Sequence, residues 1–285
     1  MRSQRDSLVF VLAVLCSPLP ADPPKTRDEA LARLESFRGE SAPGVDTTTL
    51  NGKVMTGYQG WFNCPKDGSG RGWVHYGRGK RFSPKACTID LWPDVSELTK
   101  EERFATEFRK KDGSAAEVFS SHHPKTVDRH FRWMKEYGID GAFVQRFAVT
   151  TRSTRGFNHC NRVLTSCRAA ANRHGRAYAI MYDLSGLGAG GTQVVIDDWK
   201  VLVDRFQFGK HGDKAYLRHR GKLVVAVWGI GFSDGRKYSL GECERLIRFL
   251  KDDPKYGGNT VMLGVPTYWR TKTRDAVDDE KLHEI

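Results

Sequence analysis

The sequence predicts an α/β protein built on a parallel sheet, and three observations carry that reading. Short apolar runs near residues 54–58, 139–147, 177–182, 223–228 and 260–265 recur along the chain. Amphipathic stretches of roughly twelve residues separate the later runs, the syntax of strands joined by crossover helices. Polar and aromatic residues gather where the runs end, the edge at which α/β proteins bind ligands. A (β/α)8 TIM-type barrel needs eight such units and typically about 250 residues. Five strands are legible here, so the pattern reads as an open sheet or as a barrel truncated after about five βα units.

Each element has its own warrant. Residues 1–21 read as a signal peptide: Arg2 and Arg5 precede an unbroken apolar run from Leu8 to Leu15, and Pro18, Pro20, Pro23 and Pro24 forbid a continuing helix. The run is too short to span a bilayer, so the expected location is secreted or periplasmic. Residues 22–49 form a polar leader with a weak helix over 27–37, and the barrel domain is assigned to 50–285. Residues 63–121 are irregular and too long for an ordinary connection, which suggests a functional insertion or lid. A helix then presents Val127, Phe131 and Met134 and stops at Gly138. Cys160, Val163, Leu164, Cys167, Ala170 and Ala171 mark the next helix, ending at His174-Gly175. Val195, Trp199, Leu202, Val203 and Phe206 make a third stripe, and Leu240, Cys243, Leu246, Ile247 and Leu250 a fourth.

The formal charge of +12 permits an acidic partner. Its densest cluster is Arg71, Arg78, Lys80, Arg81 and Lys85, interleaved with Trp73, His75, Tyr76 and Phe82. Acids elsewhere break any continuous stripe, so a solvated basic loop is the simpler reading and no nucleic-acid partner is expected. Past the leader lie Cys64, Cys87, Cys160, Cys167 and Cys243. In an exported protein Cys64 and Cys87 could staple the loop between them, although an odd count leaves a thiol over. No C-x-x-C or H-E-x-x-H motif occurs, so neither a metal nor another cofactor is expected.

Function turns on Tyr178-Ala-Ile-Met-Tyr-Asp183-Leu-Ser-Gly186-Leu-Gly188-Ala-Gly-Gly191. Its glycines satisfy G-x-G-x-x-G, but a dinucleotide loop belongs to the first strand of its unit and begins directly after it. Here two strands come first and Asp183, Leu184 and Ser185 intervene. The competing reading is a sugar site at the strand ends, where Tyr58, Trp61, Gln145, Arg146, Asp183 and Trp228 arrive. The insertion adds His75, Asp90 and Asp94. Sugar C–H faces pack on aromatic rings and hydroxyls take planar polar partners.

Seven blocks then carry a family resemblance: Tyr58-Gln-Gly-Trp-Phe62, Gly72-Trp-Val-His-Tyr76, Thr88-Ile-Asp-Leu-Trp-Pro-Asp94, His130-Phe-Arg-Trp-Met-Lys-Glu-Tyr-Gly-Ile-Asp-Gly141, Val144-Gln-Arg-Phe147, Met181-Tyr-Asp-Leu-Ser-Gly186 and Val261-Met-Leu-Gly-Val-Pro-Thr267. From about residue 50 onward the chain resembles the bacterial glycoside hydrolase family 71/99-like proteins. The resemblance implies a secreted (β/α)8 barrel acting on polysaccharide or oligosaccharide, often labelled xylosidase or arabinosidase and related to endo-α-mannosidases. It also implies two catalytic carboxylates in a late D-E-x-x-E-G-T-like motif, which this sequence does not contain. Glycoside hydrolysis ordinarily uses two carboxyl groups about 5 to 9.5 Å apart. The local candidates for such a pair are Asp183 with Asp90 or Asp94, and the alternative is a non-catalytic glycan-binding module.

Overall fold

The computed structural model describes residues 23–285, so the signal-peptide reading of residues 1–21 lies outside the described residues. Five strands form a parallel sheet in the order in which they occur in the chain: β1 (Met55–Tyr58), β4 (Gly141–Phe147), β5 (Ala177–Asp183), β7 (Lys222–Trp228) and β8 (Thr260–Gly264). A two-residue strand, β6 (Arg218–His219), folds back antiparallel on β7. The order never reverses along the five parallel strands. They therefore lack the topological switch point at which a doubly wound sheet opens its nucleotide crevice.

Helices α2 (Pro124–Glu136), α3 (Thr154–His174), α4 (Gln193–Val201) and α5 (Leu240–Asp252) connect the strands. Each arises from local chemistry. Ser153 caps α3 by accepting from the Gly156 N–H, and Ser239 with Glu242 forms a capping box on α5. Helix α3 ends at Gly175, whose φ of +60° suits glycine, and a Cβ there would meet the Pro43 carbonyl oxygen at 2.4 Å. The third sequence stripe is split: α4 stops at Val201 and Leu202–Phe206 forms a π turn, which still buries Leu202 and Phe206.

The two faces of the sheet differ. Val144, Ile180, Tyr182, Val225 and Val227 are buried in the main core, whose other members come largely from the helices. On the opposite face Ala179, Asp183, Val224 and Ala226 are buried as well, but the face opens at its margins: Phe143, Gln145, Phe147 and Met181 are half-buried, and Met262 and Trp228 are exposed at 36% and 40%.

The segment read as a polar leader is docked on the domain. Its helix α1 (Arg27–Ala32) sets Arg27 4.0 Å above the Phe157 ring, and Ala30, Leu34 and Phe37 are buried. Backbone bonds from Ala42 to Asn172 and from Val45 to Gly175 fasten the rest of the segment to the end of α3.

The expected irregular insertion has a core and a sheet of its own. Strands β2 (Phe104–Arg109) and β3 (Ala115–Val118) pair antiparallel, beside a cluster built on Cys64, Tyr76, Phe82 and Val118. Cys64 and Cys87 are free thiols that donate to the carbonyls of Phe119 and Ile89 respectively, so the suggested staple is not formed.

Candidate functional site

The site is set by strand register. Phe147, Asp183 and Trp228 are direct partners at the C-terminal ends of β4, β5 and β7, and Trp228 faces Gly264 of β8. Side chains two residues apart share a face, so Gln145 lies on the same side as Phe147. Its Nε2 donates to Asp183 Oδ2, while Oδ1 accepts from the Ser185 N–H at 2.8 Å. Both carboxylate oxygens of Asp183 are thereby oriented, although the residue is only 3% exposed. The indole of Trp228 lies over Gly264, where a Cβ would meet Cε3 at 2.4 Å, and Phe232 flanks it at 5.4 Å between ring centroids.

On the β4 side the row continues into the insertion. Trp61 packs on Phe147 at 4.9 Å and stacks with His75 at 4.4 Å and 15°. His75 adopts φ +61°, and its imidazole is held below its ordinary pKa by burial and by the nearby Arg71. The result is a ledge of His75, Trp61, Phe147, Gln145, Asp183 and Trp228 along the strand ends: aromatic surfaces at both flanks and an ordered amide and carboxylate between them. Such a surface can pack on sugar rings and hydrogen-bond their hydroxyls.

The other sequence candidates lie elsewhere. Arg146 alternates to the helix side, where it is 2% exposed; Nε and Nη2 each meet Asp198 at 2.7 Å, and Nη2 also donates to Asn161 Oδ1 at 2.8 Å. Burial alone would lower its pKa, but the Asp198 carboxylate more than reverses this and raises it. Tyr182 donates to the same Asp198 at 2.7 Å. Tyr58 also points inward, 8% exposed, with its hydroxyl 2.8 Å from His130 Nδ1. Asp90 and Asp94 are exposed on the insertion segment whose Trp92 packs on Phe82 and Phe108. Asp94 accepts from the Ser96 N–H at 2.8 Å, and hydrogen bonds from Ser96 hold its pKa below the usual value.

Phe147 and Arg71 were absent from the sequence-derived site. Period-two alternation could have found Phe147, since it must share a face with Gln145. Arg71 reads in sequence only as one of several loop cations. The glycines after Asp183 form turns, with Leu184 and Leu187 buried, Leu187 N–H donating to the Leu184 carbonyl and Gly191 N–H to that of Gly188. Among the described residues no group of three or more His, Cys, Asp or Glu side chains could hold a metal ion, and no helix is long and apolar enough to cross a membrane.

Fold and ledge together define an α/β protein with a parallel sheet and an aromatic–polar surface at its strand ends. No family model and no curated protein matches the sequence. Among solved structures the chain is similar to a GH99 endo-α-mannosidase from Bacteroides thetaiotaomicron, with 18% identity, a TM-score of 0.46, and coverage of 75% of this chain and 55% of that one. A structure of the GH99 endo-α-mannosidase with bis-tris-propane gives 15% identity, a TM-score of 0.48, and coverage of 74% and 52%. The chain spans about half the length of these structures.

Proposed function

We propose that the protein binds a glycan along the ledge formed by His75, Trp61, Phe147, Gln145, Asp183 and Trp228, as a carbohydrate-active protein of the glycoside hydrolase type. The observation that carries the reading is the in-register row Phe147, Asp183 and Trp228, with Gln145 ordering the carboxylate. Asp183 accepts sugar hydroxyls, and the exposed indole of Trp228 stacks on a ring.

The five-stranded sheet is read as one wall of a (β/α)8 barrel acting on polysaccharide. Parallel sheets are normally covered on both faces, and a barrel interior is filled by side chains from all its strands. The sequential strand order and the open face carrying Met181, Met262 and Trp228 support that reading. Export through the N-terminal apolar run belongs to the same proposal.

Titration calorimetry with manno-, xylo- and α-gluco-oligosaccharides tests it. Trp228→Ala and Asp183→Asn should each weaken binding by roughly tenfold, about 1.4 kcal/mol, with both variants folded at the assay temperature. Unchanged affinity in both variants would sink the proposal.

A second reading, a binding module without turnover, is favoured by one observation. Asp183 is the carboxylate of the ledge, whereas Asp90 and Asp94 sit on the segment packed against the insertion core, and hydrolysis ordinarily needs a pair. Release of reducing ends by this 285-residue chain would exclude the module.

A further inference from the structure

A narrow cleft opens beside Trp61, between the end of β4 and the first half of α3. Trp61, Gln145 and Phe147 of the ledge line it, together with Arg71, Arg146 and Cys160. It offers about 20 Å³ to the centre of a water-sized group, room for about one oxygen atom and not for a sugar ring.

Its polar lining is rich in donors. Arg146 Nη1 is buried without a hydrogen-bond partner, and so is Nδ2 of the adjoining Asn161. The orientation of Asn161 is not free to reverse, because guanidinium groups only donate and Arg146 Nη2 already takes its Oδ1 at 2.8 Å. Asp198 neutralises Arg146 on its other edge. Arg71 contributes a second cation without a direct ion pair: its Nη1 donates to the neutral carboxamide of Asn63 at 2.7 Å, with Asp67 acting on it from the far end of that amide, and burial depresses its pKa in spite of Asp67. A buried donor left unpaired is costly, and an anionic oxygen entering the cleft that Arg146 lines would relieve that cost.

The surface beyond the cleft has the same sign. From residue 68 to residue 89 the chain has no acid, and Arg78, Lys80, Arg81 and Lys85 are exposed and form no ion pair among the described residues. The loop bearing them is held in place: the Arg78 N–H donates to the Ala86 carbonyl at 2.8 Å, Gly77 bridges Cys87, and Tyr76 and Phe82 are buried beneath it.

We propose that the cleft beside Trp61 receives one oxygen of the anionic substituent of a glycan, a uronate carboxylate or a sulfate ester whose remainder stays at the cleft mouth, and that the basic loop after His75 tracks the neighbouring charges, so that the ledge selects acidic polysaccharide. This rests on the glycan reading of the ledge and specifies its ligand class.

The test is calorimetric titration of the whole chain with polygalacturonate oligomers, dextran sulfate, neutral mannan oligomers and duplex DNA at two salt concentrations. One or both acidic glycans should bind at least about tenfold tighter than mannan, as expected of a charge-assisted contact, and the tighter of the two identifies the substituent. Arg71→Gln should abolish the preference for acidic glycan over mannan, and Arg71→Lys should keep part of it. The exposed triple variant Lys80→Gln, Arg81→Gln, Lys85→Gln should weaken acidic-glycan binding and flatten its salt dependence with the fold intact. Equal affinity for mannan and acidic glycans overturns the subsite while leaving the glycan reading. Binding of no glycan overturns both. DNA binding as tight as that of the acidic glycans and insensitive to Arg71→Gln also overturns it, because the basic loop is then a general polyanion surface.

Discussion

His122 and His159 face each other Nδ1 to Nδ1 at 3.1 Å, in the seam where the insertion meets α3. Their protonation is dictated by the neighbours. His159 Nε2 lies 2.8 Å from the Gly60 carbonyl and must carry a hydrogen, since a carbonyl only accepts. Neutral His159 therefore offers the single lone pair of Nδ1, which Asn63 Nδ2 and His122 Nδ1 share at 3.1 Å each, and His122 as a donor in that contact is protonated at Nδ1. Asn63 is itself oriented by Arg71 on its oxygen and Asp67 on its nitrogen.

Acid should loosen this seam. Burial pushes His122 down to about 4 and His159 well below its ordinary value of 6.5. The folded pKa values lie below the unfolded one, so the unfolded chain takes up protons first and stability falls as pH drops from about 6.5 towards about 4. The loss is on the order of 2 to 3 kcal/mol for such a shift. His130, also pushed down to about 4 by burial, adds the same sign. Urea unfolding across this range should show a shallower slope for His159→Gln, despite its lower stability at pH 7.5; an unaltered slope counts against the tautomer chain.

Glu102 bridges the insertion to α2. Burial raises its carboxyl, but the Arg129 guanidinium and the Thr99 backbone and hydroxyl donors outweigh this and hold it at about 2. Its stabilising share is present above about pH 4.5 and is lost as pH falls towards 2. Glu102→Ala, which leaves Arg129 unpaired at 17% side-chain exposure, should cost about 2 to 3 kcal/mol at neutral pH. Earlier proteolytic cleavage within residues 63–121 is the accompanying readout. Equal cleavage rates would show that this pair does not hold the insertion.

Asp198→Ala removes the carboxylate partner of Arg146, whose guanidinium is buried on the helix side of the sheet. A charge stranded in this way costs about 3 to 5 kcal/mol, so the unfolding midpoint should fall further than for any ledge variant. Replacing both residues, Arg146→Met with Asp198→Leu, should recover part of the loss, since the buried Tyr182 hydroxyl and Asn161 stay without their partners; equal instability of single and double variants would count against a stranded charge.

Gly264→Ala probes the ledge from below. The added methyl meets Trp228 Cα at 2.9 Å as well as its ring, so overpacking should cost about 1 to 3 kcal/mol and tilt the indole. Red-shifted or quenched tryptophan fluorescence with weaker glycan binding is expected, and an unchanged spectrum and affinity would place the indole elsewhere.

Apolar runs and helical stripes made the fold legible. The five parallel strands and their helices coincide within a few residues with apolar runs and stripes, because each helix buries one face, and the central strands most of both, against a common core. The β2–β3 hairpin escaped notice: Phe104-Ala-Thr-Glu-Phe-Arg109 is charged on its outer face, and its core is a local aromatic cluster that leaves no long apolar run. At the site, composition located the strand ends but not the faces. Gln145 and Arg146 are adjacent in the chain and so point to opposite sides, one to the ledge and one to the buried Asp198 pair. The histidine seam was illegible because its members, Asn63, His122 and His159, are separated by up to 96 residues.

The uninterrupted strand order has a consequence for how the chain is made. From β4 onward every parallel strand pairs with the one synthesised just before it, so the sheet can lengthen from one edge as the polypeptide leaves the ribosome, with no strand inserted between two already joined. Such short-range closure favours rapid assembly. Strand β1 is the exception, since Met55 must wait for Gly141. The insertion occupies that interval with a hairpin and an aromatic cluster of its own, whose contacts are made largely within the segment and not with the later strands.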